Sequence, residues 1–70
     1  MKYAEVARRL RALGCVEVPR RSGGSHCKWR NPATGLGSVV PDWGPRDLKP
    51  GTVRAAVKQL GIAWHDFDGR

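Results

Sequence analysis

A histidine lies between cationic residues in a segment with the pattern of a β-strand. His26, Lys28 and Arg30 recur at every second position, and Cys27 and Trp29 occupy the positions between them. Successive side chains of a strand point to opposite faces, so each set shares one face. The apolar pair is expected to pack beneath helices. His26 would then lie on an uncovered face together with Lys28 and Arg30.

This arrangement suits cleavage of a phosphodiester bond in RNA. The reaction needs a base for the 2′-hydroxyl proton, an acid for the leaving oxygen, and positive charge near the phosphate. His26 can act as the base or the acid because the ordinary pKa of an imidazole lies near working pH. Lys28 and Arg30 can hold the phosphate, and backbone N–H groups at Gly24 and Ser25 can contact it. The alternative is that His26 is an ordinary surface histidine.

The other titratable residues offer less chemistry. His65 has no basic neighbours and is interpreted as structural or solvated. Asp42 and Asp47 share a loop but lack a third ligand for magnesium. Cys15 and Cys27 lack the spacing of a zinc site, and a disulfide would be unusual in a cytosolic chain. We therefore expect no metal, no small-molecule cofactor, and two cysteines that act as small core residues.

The positive charge is concentrated in the first part of the chain. The 70 residues carry a formal charge of +7. Residues 1–30 hold eight basic and two acidic side chains, whereas residues 31–70 hold five basic and four acidic ones. A one-sided positive field attracts polyanions, so RNA is the first partner to consider. A solvated basic face without a ligand is the alternative. The further arginines expected to contact RNA phosphates are Arg8, Arg9, Arg11, Arg20 and Arg21.

Length and composition limit the class of protein. A chain of this length supports one hydrophobic core, which predicts a single domain over residues 1–70. The hydrophobic fraction of 40% is that of a globular protein, not of a disordered tail. No apolar run approaches the ~18 residues of a membrane helix, and no secretion leader is recognisable. We expect a cytoplasmic protein with no membrane contact.

The first half of the chain predicts a helix followed by a hairpin. Tyr3, Val6, Leu10 and Leu13 form one apolar stripe at helical spacing, and Gly14 ends that helix. Alternation then predicts a strand over residues 15–21. Residues 22–24 form a turn, and a second strand follows over residues 25–30.

The second half predicts one more strand and a second helix. The third strand covers about residues 37–41, and a loop containing Trp43 follows it. Trp43 could stack on a base, but a lid over the core is the favoured interpretation. Pro50 opens the second helix and Gly61 ends it. The order indicates an α+β fold in which both helices cover one face of a three-stranded antiparallel sheet.

These residues resemble the HicA (YcfA-like) family of toxin ribonucleases over nearly the whole chain. The Gly-Ser-His element by itself would carry no weight, but its position among the other matches makes the resemblance specific. The matching elements are Leu13-Gly14, Glu17-Val18, Gly24-Ser25-His26, Val40-Pro41, the run from Asp47 to Arg54, and Lys58-Gln59-Leu60-Gly61-Ile62.

The resemblance implies a fold like that of the double-stranded-RNA-binding domain and mRNA cleavage without a metal. It implies that His26 is the essential residue and that a HicB-like antitoxin covers the active face. Many relatives carry a second histidine directly after the first, where this chain has Cys27. Two alternatives stay open, a non-catalytic RNA-binding module of the same fold and a protein-interaction domain.

Overall fold

The computed structural model describes residues 1–19 and 24–69, in the order helix, three strands, two helices. The elements are α1 (Tyr3–Ala12), β1 (Val16–Glu17), β2 (His26–Asn31), β3 (Leu36–Pro41), α2 (Pro50–Gln59) and α3 (Trp64–Asp68). The strands form one antiparallel sheet in the order β1-β2-β3. The α+β arrangement predicted from the sequence is confirmed, and the residues after Gly61 add the short helix α3. No helix in the described ranges is long and apolar enough to cross a bilayer.

The helices and one face of the sheet enclose the core. Trp29 on β2 and Phe67 on α3 are its largest fully buried side chains. Burial of this apolar surface contributes about 25 cal/mol per Å² and is the main force that holds the layers together. The core residues are Tyr3, Val6, Ala7, Leu10, Cys15, Cys27, Trp29, Val40, Leu48, Val53, Ala56, Val57, Leu60 and Phe67.

The two long helices end at glycines, as predicted. Gly14 follows α1 with φ 90° and Gly61 follows α2 with φ 73°, a region that favours glycine. The N–H of Gly14 donates to the carbonyl of Arg11 at 3.0 Å, and the N–H of Cys15 donates to that of Leu10 at 2.9 Å. The same two bonds recur at the end of α2. This pair of bonds defines the Schellman motif, which satisfies carbonyls of the last turn.

The first strand is shorter than the predicted span of residues 15–21. After β1, the N–H of Val18 still donates to the carbonyl of Lys28 at 2.8 Å. Pro19 follows and has no N–H with which to continue the pairing. Residues 20–23, which include the end of the predicted strand and the first two residues of the predicted turn, lie outside the described residues.

Asn31 is the last residue of β2, one residue beyond the predicted end of the second strand. Its side chain is buried, its amide donates to the carbonyl of Leu60 at 2.8 Å, and its Oδ1 accepts from the N–H of Ala33 at 3.0 Å. One polar side chain therefore joins the end of β2 to the end of α2. A buried amide is tolerated there because it is hydrogen-bonded.

Trp43 lies in the loop between β3 and α2, outside the core. Its side chain is 36% exposed, and the guanidinium of Arg46 lies 5.8 Å from the ring centroid. The prediction of a lid over the core is wrong for Trp43. The loop instead buries Leu48, whose N–H donates to the carbonyl of Met1 at 2.9 Å.

Candidate functional site

The uncovered face of β2 presents His26, Lys28 and Arg30 to solvent. Cys27 and Trp29, which lie between them, are fully buried under the helices. The alternation predicted from the sequence therefore holds along this strand. Residues two apart in a strand are about 6.8 Å apart, so the three side chains form a row about 14 Å long.

The start of β2 holds His26 in place through its pairing with β3. His26 lies opposite Pro41, and the carbonyl of Ser25 accepts a hydrogen bond from the N–H of Asp42. Within residues 1–19 and 24–69 the imidazole has no hydrogen-bond or ion-pair partner. No described residue therefore occupies either ring nitrogen.

The described part of the chain offers no carboxylate partner to the two cations beside His26. Across the described residues, neither Lys28 nor Arg30 forms an ion pair. Lys2, by contrast, lies 3.5 Å from a carboxylate oxygen of Asp47. No described carboxylate therefore competes with an anionic ligand for Lys28 and Arg30. An anion on this face would gain charge-assisted hydrogen bonds.

Gly24 and Ser25 are exposed and lead directly into His26. They therefore lie at the His26 end of the row. Arg20 and Arg21, which were expected to contact phosphate from the hairpin, lie outside the described residues.

The side chain of Arg9 makes hydrogen bonds to other residues of the helical layer and does not join the row on β2. Its Nη1 donates to the carbonyls of Phe67 and Asp68 at 3.1 and 2.9 Å, and its Nη2 donates to Glu5 at 3.0 Å. The guanidinium also lies 5.9 Å from the ring centroid of Phe67. Arg9 thus links α1 to the C-terminal end of α3.

The other two α1 arginines also lie on the helical side of the sheet. Arg11 donates to Glu17 at 3.2 Å and stacks 5.2 Å from the ring centroid of Trp29. Arg8 is exposed and lies 3.9 Å from Glu5. The structure therefore brings Lys28 and Arg30 together with His26, but it does not bring Arg8, Arg9 or Arg11 to that face.

A groove on the uncovered face was missed by the sequence analysis. It has a volume of about 530 Å³, and we call it the open-face groove. The missed signal is the alternation of β3, which buries Ser38 and Val40 and so turns Gly37 and Val39 outward. The lining residues are Val18, Lys28, Trp29, Arg30, Gly35, Gly37, Ser38 and Val39.

The remaining titratable residues do not join this row. His65 lies on α3, exposed, with its Nε2 3.2 Å from Asp66. Cys15 and Cys27 are free and buried, as predicted, and burial raises the pKa of the Cys15 thiol. Over residues 1–19 and 24–69, no three His, Cys, Asp or Glu side chains are grouped so that they could hold a metal ion.

Comparison with known proteins gives matches over most of the chain. The family described as "HicA toxin of bacterial toxin-antitoxin" matches residues 3–62. A protein of Pseudomonas fluorescens (strain Pf0-1), named "Probable mRNA interferase HicA", is 40% identical over 62 residues. The match covers 89% of this chain and 97% of that protein. No solved structure matches the chain significantly.

Proposed function

Because the chain belongs to the HicA toxin family, we propose that it is a toxin ribonuclease that cleaves mRNA with His26 as its catalytic side chain. The relative from Pseudomonas fluorescens is named as an mRNA interferase, which supports RNA as the substrate. The observation that carries the proposal is the exposed imidazole beside two cations that have no carboxylate partner among residues 1–19 and 24–69.

The proposed reaction is attack of a ribose 2′-oxygen on the adjacent phosphorus. His26 removes the 2′-hydroxyl proton as a base or supplies a proton to the departing 5′-oxygen as an acid. Lys28 and Arg30 stabilise the negative charge that builds up on the phosphate oxygens. Backbone N–H groups at Gly24 and Ser25 bind the phosphate from the other end of the row.

The proposal assigns the chemistry to one histidine and no metal ion. Cys27 stands where many relatives have a second histidine, and its side chain is fully buried. A side chain at that position points into the core because it alternates with His26 along β2. His26 is therefore the imidazole on this face that meets the substrate.

We further propose that a HicB-like antitoxin inhibits the protein by covering the uncovered face. Lys28 and Arg30 would attract acidic side chains of such a partner as they attract phosphate. We propose a cytoplasmic location on the same grounds, because mRNA, the proposed substrate, is found there.

The test compares two exposed histidines. His26→Ala should lower the rate of RNA cleavage at least about 100-fold, the usual contribution of a general acid or base. His65→Ala is the matched control and should retain the wild-type rate, because His65 lies on α3. Purified proteins are incubated with single-stranded RNA in EDTA, and circular dichroism verifies their folding.

Cleavage at the wild-type rate by folded His26→Ala would refute the catalytic assignment. Loss of wild-type cleavage in EDTA, with recovery on addition of a divalent ion, would refute the metal-free mechanism. RNA binding that weakens steeply with salt, without any cleaved product, would favour a non-catalytic RNA-binding module.

A further inference from the structure

The strand register places apolar side chains on both sides of the cationic row. Lys28 lies opposite Val39 on β3. On the other edge of β2, the carbonyl of Lys28 accepts a hydrogen bond from the N–H of Val18. Adjacent strands are about 4.8 Å apart, so the two valines stand about 10 Å apart across β2. Val39 is 48% exposed although it is a large apolar side chain at the centre of the strand.

Two residues further along β2, at Arg30, the paired position on β3 has no side chain. Arg30 lies opposite Gly37, which presents no side chain between Val39 and the turn at Gly35. A Cβ at Gly37 would lie 3.2 Å from the carbonyl oxygen of Trp29, so the two strands approach closely at this point. The missing side chain makes room for the open-face groove at the Arg30 end of the row.

The groove combines the two features that a nucleotide requires. Its apolar walls, Val18 and Val39, suit the flat surface of a base, whereas Lys28 and Arg30 suit its phosphates. An arginine guanidinium can also stack on a base. The volume of about 530 Å³ falls within the range of small-molecule pockets, about 300–1,000 Å³.

We propose that the open-face groove binds one unpaired base of a single-stranded RNA, while Lys28 and Arg30 hold the flanking phosphates. The proposal rests on the proposed function, because that base belongs to the RNA that His26 cleaves. The base lies next to the scissile phosphate because Lys28 is two residues from His26 on the same strand face. Gly37 sets the depth of the groove and so determines which bases enter.

The bases of an A-form duplex are stacked and paired, and the deep major groove hides their edges. Only a base that has left the stack can reach the floor of a groove set into a sheet. The geometry therefore favours a single strand or a loop over duplex RNA.

The test uses engineered cysteines as reporters of groove occupancy. The two natural cysteines are 3% and 0% exposed, so they should react slowly with iodoacetamide. Val39→Cys and Val18→Cys place a thiol on either wall, and Ala55→Cys places one on the exposed side of α2 as a control. All three are made in the His26→Ala background, so that the RNA is not cleaved during the measurement.

The probes are single-stranded RNA octamers of A, U or C and an abasic octamer with the same ribose-phosphate backbone. We expect at least one base-bearing octamer to slow alkylation of Val39→Cys and Val18→Cys about tenfold. The abasic octamer should slow it less than twofold, and the rate for Ala55→Cys should not change. Circular dichroism establishes that each variant is folded.

Equal protection by base-bearing and abasic octamers would show that the groove binds the ribose-phosphate backbone and not a base. This result would overturn the proposal. Absence of protection by every octamer would overturn it as well. These outcomes do not bear on cleavage by the wild-type protein. Conversely, RNA could protect the Val39→Cys thiol from alkylation while the wild-type protein cleaves no RNA. That result would support the base subsite and refute the proposed nuclease activity.

The proposed role of Gly37 in specificity has its own test. Gly37→Ala should weaken binding of the A octamer several-fold more than binding of the C octamer, because the added methyl group makes the groove shallower. Binding of the abasic octamer should not change. Equal losses for the A and C octamers would show that Gly37 does not select the base.

Discussion

At the scale of single residues, the position of His26 depends on its immediate neighbours. Cys27 and Trp29 are apolar and must be buried, which turns His26 to the opposite face because alternation is a property of the extended backbone. The sequence therefore predicted the exposure of His26, Lys28 and Arg30. It did not predict the carbonyl partners of Arg9, because they lie 58 and 59 residues further along the chain.

Tyr3 is another residue whose role depends on distant partners. Its hydroxyl accepts a hydrogen bond from the indole N–H of Trp29 and donates one to Glu17, both at 3.1 Å. Burial raises the pKa of this phenol well above its ordinary value of 10.0, and a hydrogen bond with Cys27 adds to the effect. The folded protein therefore favours the neutral hydroxyl.

This environment predicts a stability that falls at alkaline pH. Because the folded-state pKa lies above the unfolded value of 10.0, the contribution of Tyr3 is complete below pH 10. It is lost as the pH rises from 10 through the folded-state pKa. Tyr3→Phe should lower the free energy of unfolding at neutral pH by about 1–3 kcal/mol, because the Trp29 N–H loses its partner.

The measurement is urea unfolding of both proteins from neutral pH to above pH 10. The wild type should unfold with a higher free energy than Tyr3→Phe at neutral pH, and this difference should shrink across the alkaline range. Tyr3 is the single tyrosine of the chain, so phenolate absorbance follows its ionisation directly. A phenol that titrates near 10.0 in the folded protein would contradict this account.

At the scale of elements, glycine and proline determine where the helices begin and end. Pro50 stands at the first position of α2, and Gly14 and Gly61 follow the two long helices. These boundaries were predictable because they depend on the local backbone. The length of β1 was predicted less well, because the position at which a strand ends depends on how far the neighbouring strand continues to pair with it.

Substitution by alanine should have opposite effects on stability at two glycines, one that follows α2 and one within it. Gly61→Ala forces a positive φ on an L-residue, which costs about 1–2 kcal/mol, and its Cβ would lie 2.9 Å from Cγ2 of Thr34. Gly51→Ala lies within the helix with open space around its Cβ, and it should stabilise the protein by about 0.4–1 kcal/mol. Urea unfolding at neutral pH measures both changes. A change of the same sign in the two variants would disprove the assignment of Gly61 as a positive-φ cap.

At the scale of the whole molecule, the two layers separate two sets of cations. Lys28 lies on the uncovered face of the sheet, whereas Lys58 lies on the exposed side of α2. The shortest dimension of the molecule is 18 Å, about twice the Debye length of about 8 Å at physiological salt. A charge on one face therefore has little effect on an anion bound to the other.

A pair of matched substitutions tests which face binds RNA. Lys28→Gln should weaken binding of single-stranded RNA and reduce the slope of log K against log salt by about 0.7, the value for one phosphate contact. Lys58→Gln makes the same change of charge and should leave both the affinity and the slope unchanged. Binding is measured by fluorescence anisotropy over a salt series in the His26→Ala background. Equal effects of the two variants would show that RNA does not select the uncovered face.

The amino-acid sequence by itself determined which residues share a strand face, where the long helices end, and that two helices cover one side of the sheet. These features follow from backbone geometry and from the spacing of apolar residues, which act over a few positions. The tertiary structure decided which charges remain available and where a cavity forms. Arg9 is held by carbonyls of α3, and the open-face groove needs Lys28 of β2, Gly37 of β3 and Val18, which follows β1. Such contacts depend on how the strands and helices pack, because they join residues that are far apart along the chain.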